Sequence, residues 1–314
     1  MRPFVGKIAW QLCASVEAAS DPVDAVKKRA KRLVQDSGVR EPPFKPALYG
    51  SLRNVKEIVQ KRMEIDGRLI PISDGFKIEL RGDRPYGRKN FTCAHEVVHT
   101  FFYEAAPSLK ALNNHDVEEE FLCNLGAAEL LMPAWSFGKI AADFELGASS
   151  VVKISELFET SIASTVVRLN DLGIWGAKFI LWDCNDSIPV ARWLARPGQP
   201  LLHFPKVGFE DYLNSGLCGT IKTGISGVTE EWLFFENRFV RCVIDSITLP
   251  GARALSCIAP SAARKRSKKV SPVSTEPLPL QFKCQCFGTG TIIIEKDGLS
   301  YALRCRAKQH LAGS

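Results

Sequence analysis

One short segment, residues 91–102, constrains the fold of this chain more than any other, because it is apolar on several sides yet carries three ionisable side chains. Apolar residues at helical spacing all round such a segment predict a buried helix. Residues four apart lie one turn above each other, so His95 and His99 direct both imidazoles to one point. Burying them beside Glu96 costs free energy unless hydrogen bonds or a metal ion satisfy these groups. The segment therefore predicts a metal site on a buried helix.

The order His-Glu-x-x-His suits zinc in particular. Zinc binds imidazole nitrogens at about 2.0–2.1 Å, and His95 and His99 supply two of them. Glu96 then lies beside the ion rather than on it, where it can act as a general base that takes a proton from water. We expect Zn²⁺ at this site, with Mn²⁺ as the alternative, and Glu96 as the catalytic residue.

A third protein ligand is expected from the next predicted helix, residues 116–132. Of the three acidic residues at its start, Glu118 and Glu119 are explained by the favourable interaction of carboxylates with the helix dipole. Glu120 shares a face with Asn124 and with an apolar stripe that leads into the core. We therefore predict Glu120 as the third metal ligand and Asn124 as the residue that orients a ligand histidine by hydrogen bonding. Three protein ligands leave one position for water, as a catalytic zinc site requires.

Tyr103 lies one helical turn after His99 in the sequence. It is a candidate for stabilising the negative charge that develops on a substrate carbonyl oxygen. The alternative is a buried tyrosine whose hydroxyl bonds to the backbone.

The remaining pattern predicts an α+β protein with three parts. Residues 55–81 alternate in polarity and contain two tight-turn signals, Asp66-Gly67 and Asp74-Gly75, which predict a small antiparallel sheet. Residues 149–172 predict two short helices around a turn, and strands dominate beyond Trp175. We predict domains at 1–140, 141–175 and 176–314, with a basic, Pro/Ser-rich linker at 264–280.

Composition narrows the class and location of the protein. With 46% hydrophobic and 24% charged residues, the chain is typical of globular proteins. It has no apolar run of the roughly 20 residues that a membrane span needs, and its start is a poor export signal. We therefore expect a cytoplasmic protein whose ten cysteines are reduced. Much of the net charge of +7 lies in residues 264–269, a solvated tether rather than a nucleic-acid patch.

Residues from about 55 to 133 resemble the ImmA/IrrE family of metallopeptidases. The similar strings are Asp66-Gly67-Arg68-Leu69-Ile70-Pro71, Arg88-Lys89-Asn90-Phe91-Thr92-Cys93-Ala94-His95-Glu96, and Cys123-Asn124 continuing to Ala127-Ala128-Glu129-Leu130-Leu131-Met132-Pro133. The resemblance implies a gluzincin-like peptidase core in which His95, His99 and Glu120 bind zinc and Glu96 is the catalytic base. Val98 departs from the family, which usually carries glycine there, and this larger side chain is expected to alter helix packing.

The resemblance also implies a function. Members of the family cut a specific partner, so we expect a site-specific endopeptidase that acts on a helix-turn-helix repressor of the XRE type in stress response or mobile-element control. The paired helices at 149–172 correspond to a helix-turn-helix-like element, and 176–314 to a GAF-like sensor domain. Direct DNA binding is not expected, because Arg168 is accompanied by the acidic residues Glu156, Glu159 and Asp171.

Two alternatives stay open at the level of sequence. The chain could be a non-catalytic DNA- or ligand-binding regulator with a structural metal site, or the strand-rich tail could carry the main function as a ligand-binding module. Within that tail, Cys284, Cys286 and Cys305, with His310, are either free thiols or a second metal site, and their spacing favours free thiols.

Overall fold

The structure is a computed structural model of the 314-residue chain. It describes residues 7–105, 117–184, 190–196, 202–203, 226–235, 238–261, 291–296 and 299–304. The fold is α+β, as predicted. No helix within the described ranges combines the length and the apolar character that a membrane span requires. Cys284, Cys286, Cys305 and His310, and the whole of the predicted linker, lie outside the described residues.

Three helices precede the first sheet: α1 (Lys7–Ala14), α2 (Pro22–Asp36) and α3 (Pro46–Leu52). α2 begins where its sequence predicts, because the side chain of Asp21 accepts a hydrogen bond from the backbone N–H of Asp24 and Pro22 occupies the first turn. Its apolar stripe, which includes Val26 and Val34, is fully buried in the main core.

The first sheet contains β1 (Val55–Lys61), β2 (Gly67–Ile72) and β3 (Gly75–Arg81) in the order β1-β3-β2. β2 and β3 form the hairpin that Asp74-Gly75 predicts. The prediction of a wholly antiparallel sheet is wrong, because β1 pairs with β3 in parallel. Asp66-Gly67 consequently lies in a crossover rather than a hairpin turn, and the Asp66 carboxylate instead binds the guanidinium groups of Arg84 and Arg88.

Two helices that pack against each other follow the sheet: α4 (Tyr86–Ala105) and α5 (Val117–Leu131). α4 is longer than predicted and includes residues 86–90 at its start. Val97, Val98, Phe101 and Phe102 of α4 are buried in the main core together with Leu122, Ala127 and Leu130 of α5. β2 and β3 also contact α4, so this helix lies between the sheet and α5.

A helix pair, α7 (Ala148–Leu157) and α8 (Ile162–Asp171), follows the short helix α6 (Ala134–Asp143). Arg168 on α8 is buried, pairs with Glu129 near the end of α5, and donates from Nε to the carbonyl of Met132 at 2.9 Å. Asn90 of α4 donates to the carbonyl of Glu159 in the turn between the paired helices. The pair is therefore joined to the helices of the predicted metal site. Its identity as a helix-turn-helix element stays a prediction.

The strand-rich region forms a six-stranded antiparallel sheet in the order β6-β5-β4-β9-β8-β7. Its strands are β4 (Lys178–Asp183), β5 (Val190–Ala195), β6 (Leu202–His203), β7 (Gly227–Phe235), β8 (Arg238–Leu249) and β9 (Arg253–Pro260). The carboxylate of Asp245 accepts a hydrogen bond from the N–H of Ala148, which links β8 to the start of α7. A separate hairpin pairs β10 (Thr291–Lys296) with β11 (Leu299–Arg304). The predicted domain boundaries and the GAF-like character stay predictions.

Candidate metal centre

The side chains of His95 and His99 lie on the face of α4 that meets α5. Their Nε2 atoms are 3.1 Å apart. Both side chains are largely buried, with 13% and 12% of their surface exposed. Two ring nitrogens are thus directed to one point, as the spacing of four residues on a helix requires.

Glu120 of α5 completes a three-donor group with the two histidines. Its Oε2 lies 3.1 Å from Nε2 of His95, and its Oε1 lies 3.4 Å from Nε2 of His99. The side chain stays 45% exposed, so the expectation that Glu120 points into the core is wrong. The carboxylate lies at the solvent-facing edge of the site. Its pKa lies well below the usual range, because both imidazoles hydrogen-bond to the charged form.

The second nitrogen of each histidine also has a partner. Nδ1 of His95 lies 3.1 Å from the acceptor Oδ1 of Asn124, and Nδ1 of His99 lies 2.6 Å from Oε1 of Glu119. An acceptor at Nδ1 favours a proton on that atom, so the two Nε2 atoms, which contact Glu120 here, are the nitrogens that would bind a metal ion. Asn124 therefore lies where the sequence analysis expected an orienting amide.

Glu119 is the site residue that sequence analysis missed. Its side chain is only 3% exposed and contacts His99, so the interaction with the helix dipole does not account for it alone. The overlooked signal is the helical spacing, since Leu122 and Gly126 lie three and seven residues further on and are both buried. A carboxylate on that face must enter the core beside α4.

The thiol of Cys123 also belongs to this cluster. One donor atom from each of His95, His99 and Cys123 lies within 4.8 Å of the others, and Cys123 is fully buried. Burial raises the pKa of the thiol to about 11. The pKa of His99 lies well above its usual value: burial lowers it, but the contacts with Cys123, Glu119 and Glu120 raise it by more. Sequence analysis assigned Cys123 no role beyond that of a reduced cysteine.

Glu96 is buried next to the strand β2. Burial raises the pKa of its carboxyl, while the two histidines and a hydrogen bond from the backbone of Leu69 oppose that shift. The approach of the strand is close, because a Cβ on Gly67 would overlap the Cγ2 methyl of Thr92 and lie 3.2 Å from Oε1 of Glu96. The strand therefore positions the carboxylate that the sequence predicts as the general base.

The side chain of Tyr103 packs against strand β3. Its ring packs against Phe76 with the centroids 5.2 Å apart. It lines an open groove of about 650 Å³ together with Pro71, Ile72 and Thr100, and neither histidine contributes to that lining. A role for Tyr103 in stabilising an oxyanion stays a prediction.

The donor set fits a divalent ion of the zinc type. Two imidazole nitrogens and one carboxylate converge at the edge of a buried helix pair, and each imidazole is held from behind by an acceptor. This is the combination of nitrogen and oxygen ligands, with an outer ring of hydrogen-bond partners, that zinc sites with an open position use.

Comparison with known proteins gives one family match and a likeness of fold. Residues 74–170 match the family model of a peptidase family described as the IrrE N-terminal-like domain. The match runs from the β2–β3 turn into α8 and contains every residue of the cluster. No curated protein matches the chain. A solved structure described as a Mycobacterium tuberculosis transcriptional regulator is similar with a TM-score of 0.50 and 14% sequence identity, covering 83% of this chain and 82% of that chain. At that identity the likeness concerns the fold alone.

Proposed function

Because the chain belongs to the ImmA/IrrE family through its IrrE N-terminal-like domain, we propose that it is a zinc-dependent endopeptidase that hydrolyses a specific peptide bond in a partner protein. The observation that carries the proposal is the convergence of His95, His99 and Glu120 within 3.1–3.4 Å. The outer contacts from Asn124 and Glu119 support it, because they serve ligand histidines and have little purpose on histidines that bind nothing.

The metal would be held by His95, His99 and Glu120. Such an ion supplies Lewis acidity, which polarises the scissile carbonyl and makes a water molecule more acidic. The protein contributes rigid ligand positions, because the two histidines come from one buried helix and each is fixed at Nδ1. Fixed ligands cost less reorganisation when the substrate reacts.

Glu96 is the residue to which we assign proton transfer. We assign its carboxylate the removal of a proton from the attacking water and its delivery to the leaving amine. Burial raises the pKa of this carboxyl, which brings it nearer to the pH at which a group can both accept and return a proton. The close approach of Gly67 on β2 limits the space around the carboxylate.

The substrate segment would bind in an extended form along β2. The order β1-β3-β2 leaves β2 at the edge of its sheet, beside Glu96. An extended peptide can add to such an edge through backbone hydrogen bonds. Pro71 offers no N–H, so pairing through that residue would use its carbonyl alone.

The partner we propose is a helix-turn-helix repressor of the XRE type, cut in the cytoplasm during stress response or mobile-element control. The family resemblance supports this partner. The burial of Arg168 argues against the alternative, in which the helix pair binds DNA directly. That guanidinium is occupied by Glu129 and by a backbone carbonyl, so it is not available to DNA phosphates. We assign the helix pair α7–α8 to packing or substrate docking.

The test is scission of a purified partner. The zinc-loaded full-length protein is incubated with helix-turn-helix repressors encoded next to its gene, and products are identified by mass spectrometry. One defined cut is expected from the wild type, no cut from Glu96→Gln, and normal cutting from Glu145→Gln, which makes the same charge change at an exposed position. Glu96→Gln should still bind zinc. Cleavage that persists in Glu96→Gln would refute the role of Glu96 as general base. DNA or ligand binding by the wild type without any cleavage would favour the non-catalytic regulator.

A further inference from the structure

The cluster contains one metal-binding group that the proposed peptidase does not use. The thiol of Cys123 is fully buried, and its sulfur lies within 4.8 Å of a nitrogen of each histidine. Thiolate sulfur is a strong ligand for zinc. A small apolar residue at the same position would fill the space without offering a donor.

Cys123 and Glu120 lie on the same face of α5, because they are three residues apart. They differ in depth: Glu120 is 45% exposed at the edge of the site, and Cys123 is fully buried. The histidine pair therefore has two neighbours that can complete a ligand set, a carboxylate at the solvent-facing edge and a thiol in the core.

We propose that Cys123 is an alternative third metal ligand, an inference that rests on the metal site of the proposed function. One ion is then held either by His95, His99 and Glu120 or by His95, His99 and Cys123. In the second arrangement the bond between the ion and a Glu120 oxygen would break, a metal–sulfur bond would form, and the thiol proton would leave to solvent. This arrangement holds the ion deeper and replaces a hard oxygen by a soft sulfur. The site then selects zinc over manganese, because thiolate ligands favour softer ions.

The two arrangements have different consequences for catalysis. Sulfur ligation draws the ion away from the solvent-facing edge where a substrate carbonyl can reach it. A thiolate also donates more electron density to the ion than a carboxylate of the same charge, which would weaken the Lewis acidity of the ion. The arrangement with Cys123 is a resting state, and the one with Glu120 is the active state.

Cobalt spectroscopy of the full-length protein tests the inference without reference to activity. Bound Co²⁺ absorbs in the visible range whatever its ligands, and a cobalt–thiolate bond adds a charge-transfer band in the near ultraviolet. The wild type is expected to show both. Cys123→Ala should lose only the near-ultraviolet band, and Cys93→Ala, which removes another buried thiol from the adjoining helix, should keep it. Cys123→Ser serves the same purpose if the alanine variant does not fold.

The outcomes separate the two proposals. The role of Cys123 would be overturned, with the proposed function left intact, by either of two results. One is a wild type that shows visible bands but no near-ultraviolet band, and the other is a near-ultraviolet band that survives in Cys123→Ala. Absence of cobalt binding in the wild type would overturn both. Glu120→Gln should retain the near-ultraviolet band, because the sulfur arrangement remains, and loss of all cobalt binding in that single variant would contradict two alternative ligand sets.

Discussion

Val98 of α4 packs directly against Gly126 of α5, so closely that a Cβ on residue 126 would lie 2.8 Å from both methyl carbons of the valine. Val98 is fully buried and immediately precedes His99. The family that the sequence resembles usually carries glycine at position 98. Here the glycine that allows the helices to approach lies on the opposite helix. This contact fixes the spacing of α4 and α5 at the level of the metal centre.

Gly126→Ala is expected to destabilise the protein by about 1–3 kcal/mol, because the added methyl overpacks a filled core. Urea denaturation measures the change. Val98→Ala introduced together with Gly126→Ala should recover part of the loss. Gly138→Ala is the matched control: it lies in a helix with nothing within 4 Å of the new Cβ, so it should be neutral or stabilise by about 0.4–1 kcal/mol. Equal effects of the two alanines would contradict the packing argument.

Glu119→Gln should weaken metal binding, since a neutral amide holds the Nδ1 proton of His99 less strongly than a carboxylate. Loss of such an outer contact lowers metal affinity by about 10- to 100-fold. Competition with a chromophoric zinc chelator measures it. Glu145→Gln provides the charge-matched control at an exposed position. Unchanged zinc affinity in Glu119→Gln would show that this contact has no part in holding the ligand.

Gly67→Ala is expected to push β2 away from α4, because the new Cβ would overlap the Cγ2 methyl of Thr92. Glu96 would then lose its hydrogen bond from Leu69, and the rate of partner cleavage should fall. Thr92→Ser removes the obstructing methyl, so the double variant should regain much of the wild-type rate. If Thr92→Ser gives no recovery, the defect of Gly67→Ala has another origin.

Arg168→Ala should destabilise the protein by about 3–5 kcal/mol, because it leaves the carboxylate of Glu129 buried without its charged partner. Lys153→Ala, on an exposed face of the same helix pair, should change stability by no more than about 0.5 kcal/mol. Denaturation curves of both variants compare the two. A stable Arg168→Ala protein would mean that the guanidinium is not needed for packing.

Asp66 should contribute stability that depends on pH. Burial raises the pKa of its carboxyl, but Arg88 and Arg84 lower it by more, so the folded-state pKa lies below the ordinary value of 3.8. A depressed folded-state pKa contributes stability that is present above the unfolded value and is lost as pH falls through the folded one. The stability difference between wild type and Asp66→Asn should therefore be constant near neutral pH and shrink below about pH 4. The comparison with Asp74→Asn, an exposed aspartate, checks that the effect is specific.

The local sequence pattern was sufficient to predict those parts of the structure whose geometry is set by residues close together in the chain. The spacing of His95 and His99 on a helix, the Asp21 cap of α2 and the Asp74-Gly75 hairpin all follow from neighbours within four residues. The sequence therefore determined that two imidazoles converge and that an acidic helix start follows them.

Tertiary structure decided which side of each element faces the site. Successive residues on a helix point about 100° apart, so only the packing of α5 on α4 could turn Glu119 and Cys123 inward and leave Glu120 at the edge. The parallel pairing of β1 with β3 and the burial of Arg168 also join residues distant in the chain. Their partners are chosen by which surfaces bury most apolar area together, and no short stretch of sequence contains that information.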